Sequence, residues 1–594
     1  LIRVKSRAFR HCQKENPMNL RQTLETAISA TLDRVSGRSG CQALVAPAKN
    51  PQFGDYQANG VMALAKQLGR NPRELGAAVV AELEQDAQLQ QMTEKLELAG
   101  PGFINITLKK DFLSARLGAL QDGRLVPETK TPQTIVIDYS SPNLAKEMHV
   151  GHLRGTIIGD AIARTFDYLG HKLIRQNHFG DWGTQFGMLI AYMQDLPQGG
   201  DLHTELSDLE SFYRAAKQRF DADPAFADLA RANVVKLQAG DPDCLALWQR
   251  FIKISIEHCQ ALYDKLGITL GPDHVVPESF YNDRLQPLID ELRAKGLLTE
   301  SDGAQCVFLE EFKNKDGEVL PVIVQKSGGG YLYATTDLAA IRYRCQELGA
   351  QRVLYVVDAR QSLHFQQVFA VARKAGFATD EVQLEHLSYG TMMGKDGKPF
   401  KTRSGDTIKL VDLCDESIER AYAIVKEKNP SLSDEQHRQI ATKVGIGAVK
   451  YADLSKNRNS DYVFDWDTML SFEGNTAPYL LYAYARIRSI FRRADLDPDA
   501  RYPIAVAEPE EKTLALKLMQ FTETVEALAQ DCLPNQLCLY LYELAGHFMK
   551  FYEACPVLKA EGSERESRLG LCQLTARTLR EGLALLGIET LEQM

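Results

Sequence analysis

One stretch constrains the fold more than any other: "TIVIDYS" at 134–140, together with the turn and helix-like run that succeed it. The run is short, rich in β-branched residues and apolar on both faces, as in a strand buried inside a parallel sheet. A Ser-Pro-Asn turn comes next, then "HVGH" (149–152). Leu153, Ile157, Ile158, Ala161, Ile162, Phe166 and Leu169 then recur at helical spacing. "HKLIRQNH" offers a second strand, and "RVLYVVD" (352–358) a third. Strand, turn, helix, strand predicts an α/β fold, a Rossmann-like doubly wound parallel sheet with ligands at the carboxyl ends of its strands.

At 594 residues the chain exceeds what one core can organise. Residues 1–17 are basic and lack a long apolar segment, whereas "MNLRQTLETAISATL" starts at Met18 like an authentic N-terminus. They are read as an extension outside the fold. Residues 18–125 combine helical spacing over 19–35 and 72–98 with a β-like "GPGFINITL", predicting a small α+β domain that ends in the linker "QDGRLVPETKTP". The Rossmann-like domain is assigned to 126–474, with polar helix and loop insertions over 201–320. Residues 475–594 read as an all-α helix bundle.

No apolar run approaches the roughly 20 residues of a membrane span. The 11 cysteines are scattered and never spaced as CxxC, so neither a zinc site nor a disulfide framework is indicated; reduced thiols in the cytoplasm are the simple reading. A net charge of −9 speaks against a surface coated in basic residues, but leaves room for local patches such as "RIRSIFRR" (486–493).

HVGH comes after a strand and opens a helix, where free backbone N–H groups and the positive end of the helix dipole suit an anion. Gly151 leaves no Cβ in the way of a phosphate-bearing ligand. A metal is a poorer fit, because helical His ligands are usually spaced i,i+4 and no acidic third ligand stands nearby. Two capping histidines without chemistry remain the plain alternative. A second stretch, "GTMMGKDGKPFKTRSGDTIKL" (390–410), supplies a Gly- and Lys-rich loop with Lys398 and Lys401 spaced KxxK. Such ammonium groups can follow charge onto a leaving pyrophosphate, although alone the loop reads as a solvated hairpin turn.

HVGH matches the HIGH signature of class I aminoacyl-tRNA synthetases. Together, "SSPNLAKEMHVGHLR", "NHFGDWGTQFG", "YATTDLAAIRYR", "VVDARQSLHFQQVF", "GKPFKTRSG" and "FEGNTAPYLLYAYARIRSI" resemble the arginyl-tRNA synthetases, from about Leu20 to the C-terminus. The resemblance implies ATP-dependent activation of L-arginine, transfer to tRNA(Arg), Mg2+ bound through ATP rather than by a protein cage, and a cytoplasmic monomer without membrane association. It places His149, Gly151 and His152 at the ATP phosphates. The usual KMSKS is replaced by KPFKT at 398–402. In relatives that depart similarly a lysine just before HIGH is thought to compensate, so Lys146 joins Lys398 and Lys401 as a catalytic candidate.

For arginine the resemblance points to Ser141, Asn143, His152, Tyr333, Asp337 and Gln361, with Asp138 and Pro142 of the same strand end and turn as weaker members. The chemistry agrees: a guanidinium donates five hydrogen bonds in a rigid fork and needs carboxylates or amide oxygens in its plane. Lysine would leave those acceptors unpaired, so no editing domain is required. Candidate tRNA contacts are Tyr56 and Asn59 in the N-terminal domain, and Arg486 and Arg488 among the tyrosines of the helical domain. Small nucleotidylyltransferases share HxGH beside a lysine loop, but are far shorter and leave the helical C-terminus unexplained. A non-catalytic tRNA-binding paralogue would be expected to lack HVGH or the lysine loop.

Overall fold

A computed structural model describes residues 19–196, 209–400 and 408–594. Residues 1–17 and Lys401 lie outside the described residues. The chain divides into two compact units: one of residues up to Glu128 with Phe472–Ala584 and Glu589–Met594, the other Thr129–Ser471 with Leu585–Ile588.

The second unit contains the parallel sheet. Strands β5 (Thr134–Asp138), β6 (Lys172–Gln176), β10 (Arg352–Tyr355) and β11 (Gln383–His386) lie in the order β11-β10-β5-β6, all parallel. Ile135, Val136 and Ile137 are fully buried, as expected of a central strand. The crossover from β5 to β6 is helix Leu153–Tyr168, whose predicted apolar stripe is buried throughout. It packs so closely on β5 that a Cβ at Gly159 would stand 2.4 Å from Tyr139. Because β5 leads to β6 on one side and β10 leads to β11 on the other, strand order reverses between β5 and β10. A crevice opens at the carboxyl ends of those two strands, where open α/β sheets take ligands.

The insertion after β6 contains helices Leu209–Ala222, Pro224–Gln238, Pro242–Leu266 and Asn282–Ala294. It also holds an antiparallel sheet of β7 (Thr299–Ser301), β8 (Ala304–Lys313) and β9 (Val319–Gln325), where helix and loop were expected. Its Val307, Leu309, Val322 and Val324 join the core formed with β10, and that burial outweighs the polar appearance of the segment.

In the first unit, β1 (Val45–Pro47), β2 (Tyr56–Ala58), β3 (Thr93–Ala99) and β4 (Phe103–Leu108) form an antiparallel sheet in the order β1-β2-β4-β3. The helical reading of 72–98 is corrected here: helices end at Met92, and Thr93–Ala99 is a strand pairing Leu96 with Ile106 and Leu98 with Ile104. Non-local pairing overrides the local spacing. Five helices between Ala477 and Leu585 supply the bundle. It docks on the N-terminal sheet domain through Lys512–Asp55 at 3.0 Å and Arg577 to the Leu120 carbonyl at 3.0 Å. No described helix is long and apolar enough to cross a membrane.

Candidate active site

The crevice between the ends of β5 and β10 has a volume of about 610 Å³. His149, Gly151, His152, Asp138, Ser141, Asn143, Tyr333, Asp337 and Gln361 all line it, drawn from separate stretches of chain. Pro142 is buried behind the wall, its carbonyl accepting from the Gly180 N–H at 3.2 Å.

On one side, the two imidazoles lie tilted by 41° with ring centres 4.0 Å apart. His152 Nδ1 accepts from the His149 backbone N–H at 3.0 Å, and His149 Nδ1 accepts from the Gly151 N–H at 3.0 Å. Each ring therefore carries its proton on Nε2. Burial, with His149 adding to it, lowers the His152 pKa to about 3, so that ring is neutral at physiological pH. Glycine at 151 has a further reason: a Cβ there would meet the His149 ring at 2.7 Å. Behind the pair, buried Arg154 pairs with buried Asp453 at 3.1 Å and donates to the Ser460 carbonyl at 3.0 Å, fixing the helix start.

The lysine candidates fare differently. Lys398 is exposed in a turn closed by pairing of Met393 with Pro399, and is not part of the crevice wall. At the far end of the lysine-rich stretch, the Ile408 carbonyl accepts from the Val150 N–H at 3.0 Å, and the Leu410 N–H donates to the Met148 carbonyl at 3.0 Å. The end of the lysine loop is thus stitched to the HVGH segment itself. Lys146 does not line the crevice, and its ammonium lies over the Tyr213 ring at 4.6 Å.

On the other side, Tyr333 and Asp337 share one face of helix Tyr333–Arg342, as their spacing predicts. Asp337 is held by His364 Nε2 at 2.5 Å. Gln361 precedes helix Ser362–Lys374 at the lip. Asp138 lines the crevice from the end of β5. Its two oxygens are already engaged, one by the buried Arg344 guanidinium at 2.8 Å and the other by the Ser141 hydroxyl at 2.8 Å. The turn after β5 is pinned at Ser140, which adopts φ 55° and bonds Thr156 and Tyr263 at 2.5 and 2.9 Å.

Sequence reasoning missed Glu278. It lines the crevice from within the insertion, close enough to Asp181 and Asp337 that their charges add to burial in raising its pKa to about 8. Buried Asp181 of "FGDWG" sets it in place by accepting from the Ser279 N–H and hydroxyl at 2.9 and 2.6 Å. No spacing marked "PESFYND" as a wall of the site.

The proposed RNA contacts separate. Tyr56 is fully buried, with the Glu523 carboxyl of the bundle close to it, and offers no ring to a base. Asn59 flanks helix Gly60–Leu68 and its amide lies 3.5 Å from the Leu44 carbonyl. Arg488 is bound by Glu592 at 2.6 Å and Asp499 at 3.4 Å, which leaves its side chain 11% exposed. Arg486 stacks at 5.0 Å over the Tyr552 ring and stays half-buried.

Known proteins agree with this architecture. Residues 117–466 match the family model "tRNA synthetases class I (R), catalytic domain", 480–594 the "DALR anticodon binding domain" and 21–108 the "Arginyl tRNA synthetase N terminal domain". An arginine--tRNA ligase of Laribacter hongkongensis is 58% identical over 97% of this chain and all of its own length. One from Marinomonas sp. is 57% identical with the same coverage. The solved arginyl-tRNA synthetase of Plasmodium falciparum superposes with a TM-score of 0.85 at 31% identity, over 98% of this chain and 100% of that one. That of Thermus thermophilus gives 0.82 at 27%, over 97% and 100%. With this fold, this crevice and these full-length relatives, the chain belongs to the class I arginyl-tRNA synthetases, the arginine--tRNA ligases.

Proposed function

We propose that the β5–β10 crevice carries both half-reactions on L-arginine. The arginine carboxylate attacks the α-phosphorus of ATP in line, pyrophosphate leaves, and arginyl-adenylate forms. The 2′-hydroxyl of the terminal ribose of tRNA(Arg) then takes the arginyl group and AMP departs. Neither step calls for a protein nucleophile, because positioning and electrostatics suffice.

The observation that carries this reading is the polarity of the crevice: an imidazole pair at a helix N-terminus, with His152 neutral, shares the cavity with Asp337 and Glu278. His149 and His152 donate Nε2–H to phosphate oxygens, and the neutral His152 does so without a full charge that would bind product as tightly as the transition state. Gly151 lies under the nucleotide. Asp337 and Glu278 clasp the guanidinium, Tyr333 covers it, Gln361 closes the lip, and Ser141 with Asn143 takes the α-amino and carboxylate end. Lys401 and Lys398 follow the leaving pyrophosphate, while Lys146 needs to leave Tyr213 to assist. Among the described residues no three His, Cys, Asp or Glu side chains gather as a metal cage. Mg2+ would enter on the triphosphate and neutralise phosphate charge there.

For the tRNA, Arg486 and Asn59 are the better candidates, because Arg488 must first break its carboxylate contacts and Tyr56 is buried. The protein acts as a monomer in the cytoplasm, the compartment in keeping with ATP and tRNA(Arg) as substrates. Arginine-dependent exchange of pyrophosphate into ATP, with and without tRNA, tests the function. Equal exchange with cysteine or glutamate would overturn it.

A further inference from the structure

Arg344 is fully buried yet charged, and sits where the crevice floor meets the sheet. It belongs to a π-helical turn, Tyr343–Glu347, that directly continues helix Tyr333–Arg342. Such turns interrupt an α-helix at a cost and recur where a side chain must be aimed. Its guanidinium reaches the last residues of three adjacent strands. Nε donates to Gln176 at the end of β6 at 2.6 Å, Nη2 to Asp138 at the end of β5 at 2.8 Å, and the plane lies 4.9 Å from the Tyr355 ring centre at the end of β10. These residues are in register, Asp138 opposite both Gln176 and Tyr355.

From Asp138 the connection continues. Its second oxygen accepts from the Ser141 hydroxyl at 2.8 Å, and the hydroxyl oxygen in turn accepts from the His178 N–H at 3.2 Å. One end of this chain of bonds is the helix bearing Tyr333 and Asp337; the other is the Ser-Pro-Asn turn bearing Ser141 and Asn143.

We propose that Arg344 is a positioning residue for amino-acid selection: an internal guanidinium that fills the Asp138 fork and thereby fixes the distance between the two ends of the arginine pocket. Filling that fork keeps the substrate guanidinium from pairing with the strand end, and directs it to Asp337 and Glu278. The fixed span measures side-chain length, since the α-amino end and the guanidinium end are held by elements joined through one rigid fork. The inference rests on the arginine pocket proposed above.

Arg344→Lys is the informative change, because it retains a cation beside Asp138 but cannot bind Asp138 and Gln176 in one plane. In pyrophosphate exchange with tRNA present, the arginine KM is expected to rise about tenfold while the ATP KM stays within about twofold. Discrimination against L-homoarginine, one methylene longer, is expected to fall about tenfold. Ser141→Ala added to Arg344→Lys should cost less than the two single effects combined, because both cut the same chain of bonds. An unchanged arginine KM, a parallel loss on the ATP side, or full additivity with Ser141→Ala would each overturn the proposal. Should Arg344→Lys not fold, Asp138→Asn carries the same expectations, read by calorimetric binding of arginine. Failure of the unmodified protein to exchange with arginine would instead sink the pocket assignment itself.

Discussion

The crevice and the helical bundle make an instructive pair. Around the crevice, nine residues nominated from the sequence line one cavity, and their nomination joined the family resemblance to a place at a strand end, in the turn after it or on a helix. In the bundle and the domain packed on it, residues nominated by type alone turned inward: Tyr56 is core, and Arg488 serves Glu592. Place in a topology predicts direction, whereas an aromatic or basic residue at helical spacing serves a core and a ligand equally well.

The largest effect expected is at the guanidinium end. Asp337→Ala should lower kcat/KM for arginine by about a hundredfold, some 2–3 kcal/mol, with the ATP KM nearly unchanged. A defect confined to ATP would move Asp337 out of the amino-acid pocket. Next, His152→Ala should slow activation about tenfold or more with little loss of folding, measured by exchange rate and thermal midpoint. Because the His152 pKa lies at about 3, its ring binds no proton near neutrality; it should contribute no step to the activation profile above about pH 5. Its lowered pKa also has a stability consequence. The unfolded chain takes up that proton first, so stability is lost as pH falls below about 6.5.

Glu278 gives a smaller effect of opposite sense. With its pKa raised to about 8, the empty pocket holds it protonated at neutral pH, and arginine must draw that proton off. Arginine KM should therefore fall a few-fold as pH rises from about 7 to about 9, and Glu278→Gln should flatten the dependence. A slope that survives the substitution would assign it to another group. For stability the sign is reversed relative to His152: the folded state holds the proton longer, so this group costs stability as pH rises from about 4.5 to about 8.

The smallest effects lie on the RNA side and bear directly on the contrast. Arg486→Ala should weaken tRNA binding a few-fold and reduce its salt slope by about one ion. Tyr56→Phe should leave tRNA affinity unchanged, because the ring is fully buried and presents nothing to RNA. A loss of tRNA affinity in the second and not the first would invert the comparison.

The sheet, its crossover helix and the imidazole pair were legible because local pattern and position agree there. The strand at Thr93–Ala99 was not, since "TEKLELA" becomes a strand only by pairing with β4. Glu278 was invisible for a related reason: it reaches the crevice because Asp181, far off in sequence, holds Ser279.

What the sequence determined by itself was the kind of site: a strand end, a turn and a helix start that together prefer an anion, and the residue types able to hold a guanidinium. Tertiary structure decided the allocation. Only folding shows that Asp138 answers to Arg344 and that Glu278 faces Asp337. Periodicity reports which face of an element is buried; the partner that meets that face is set by long-range packing, which no local window of sequence contains.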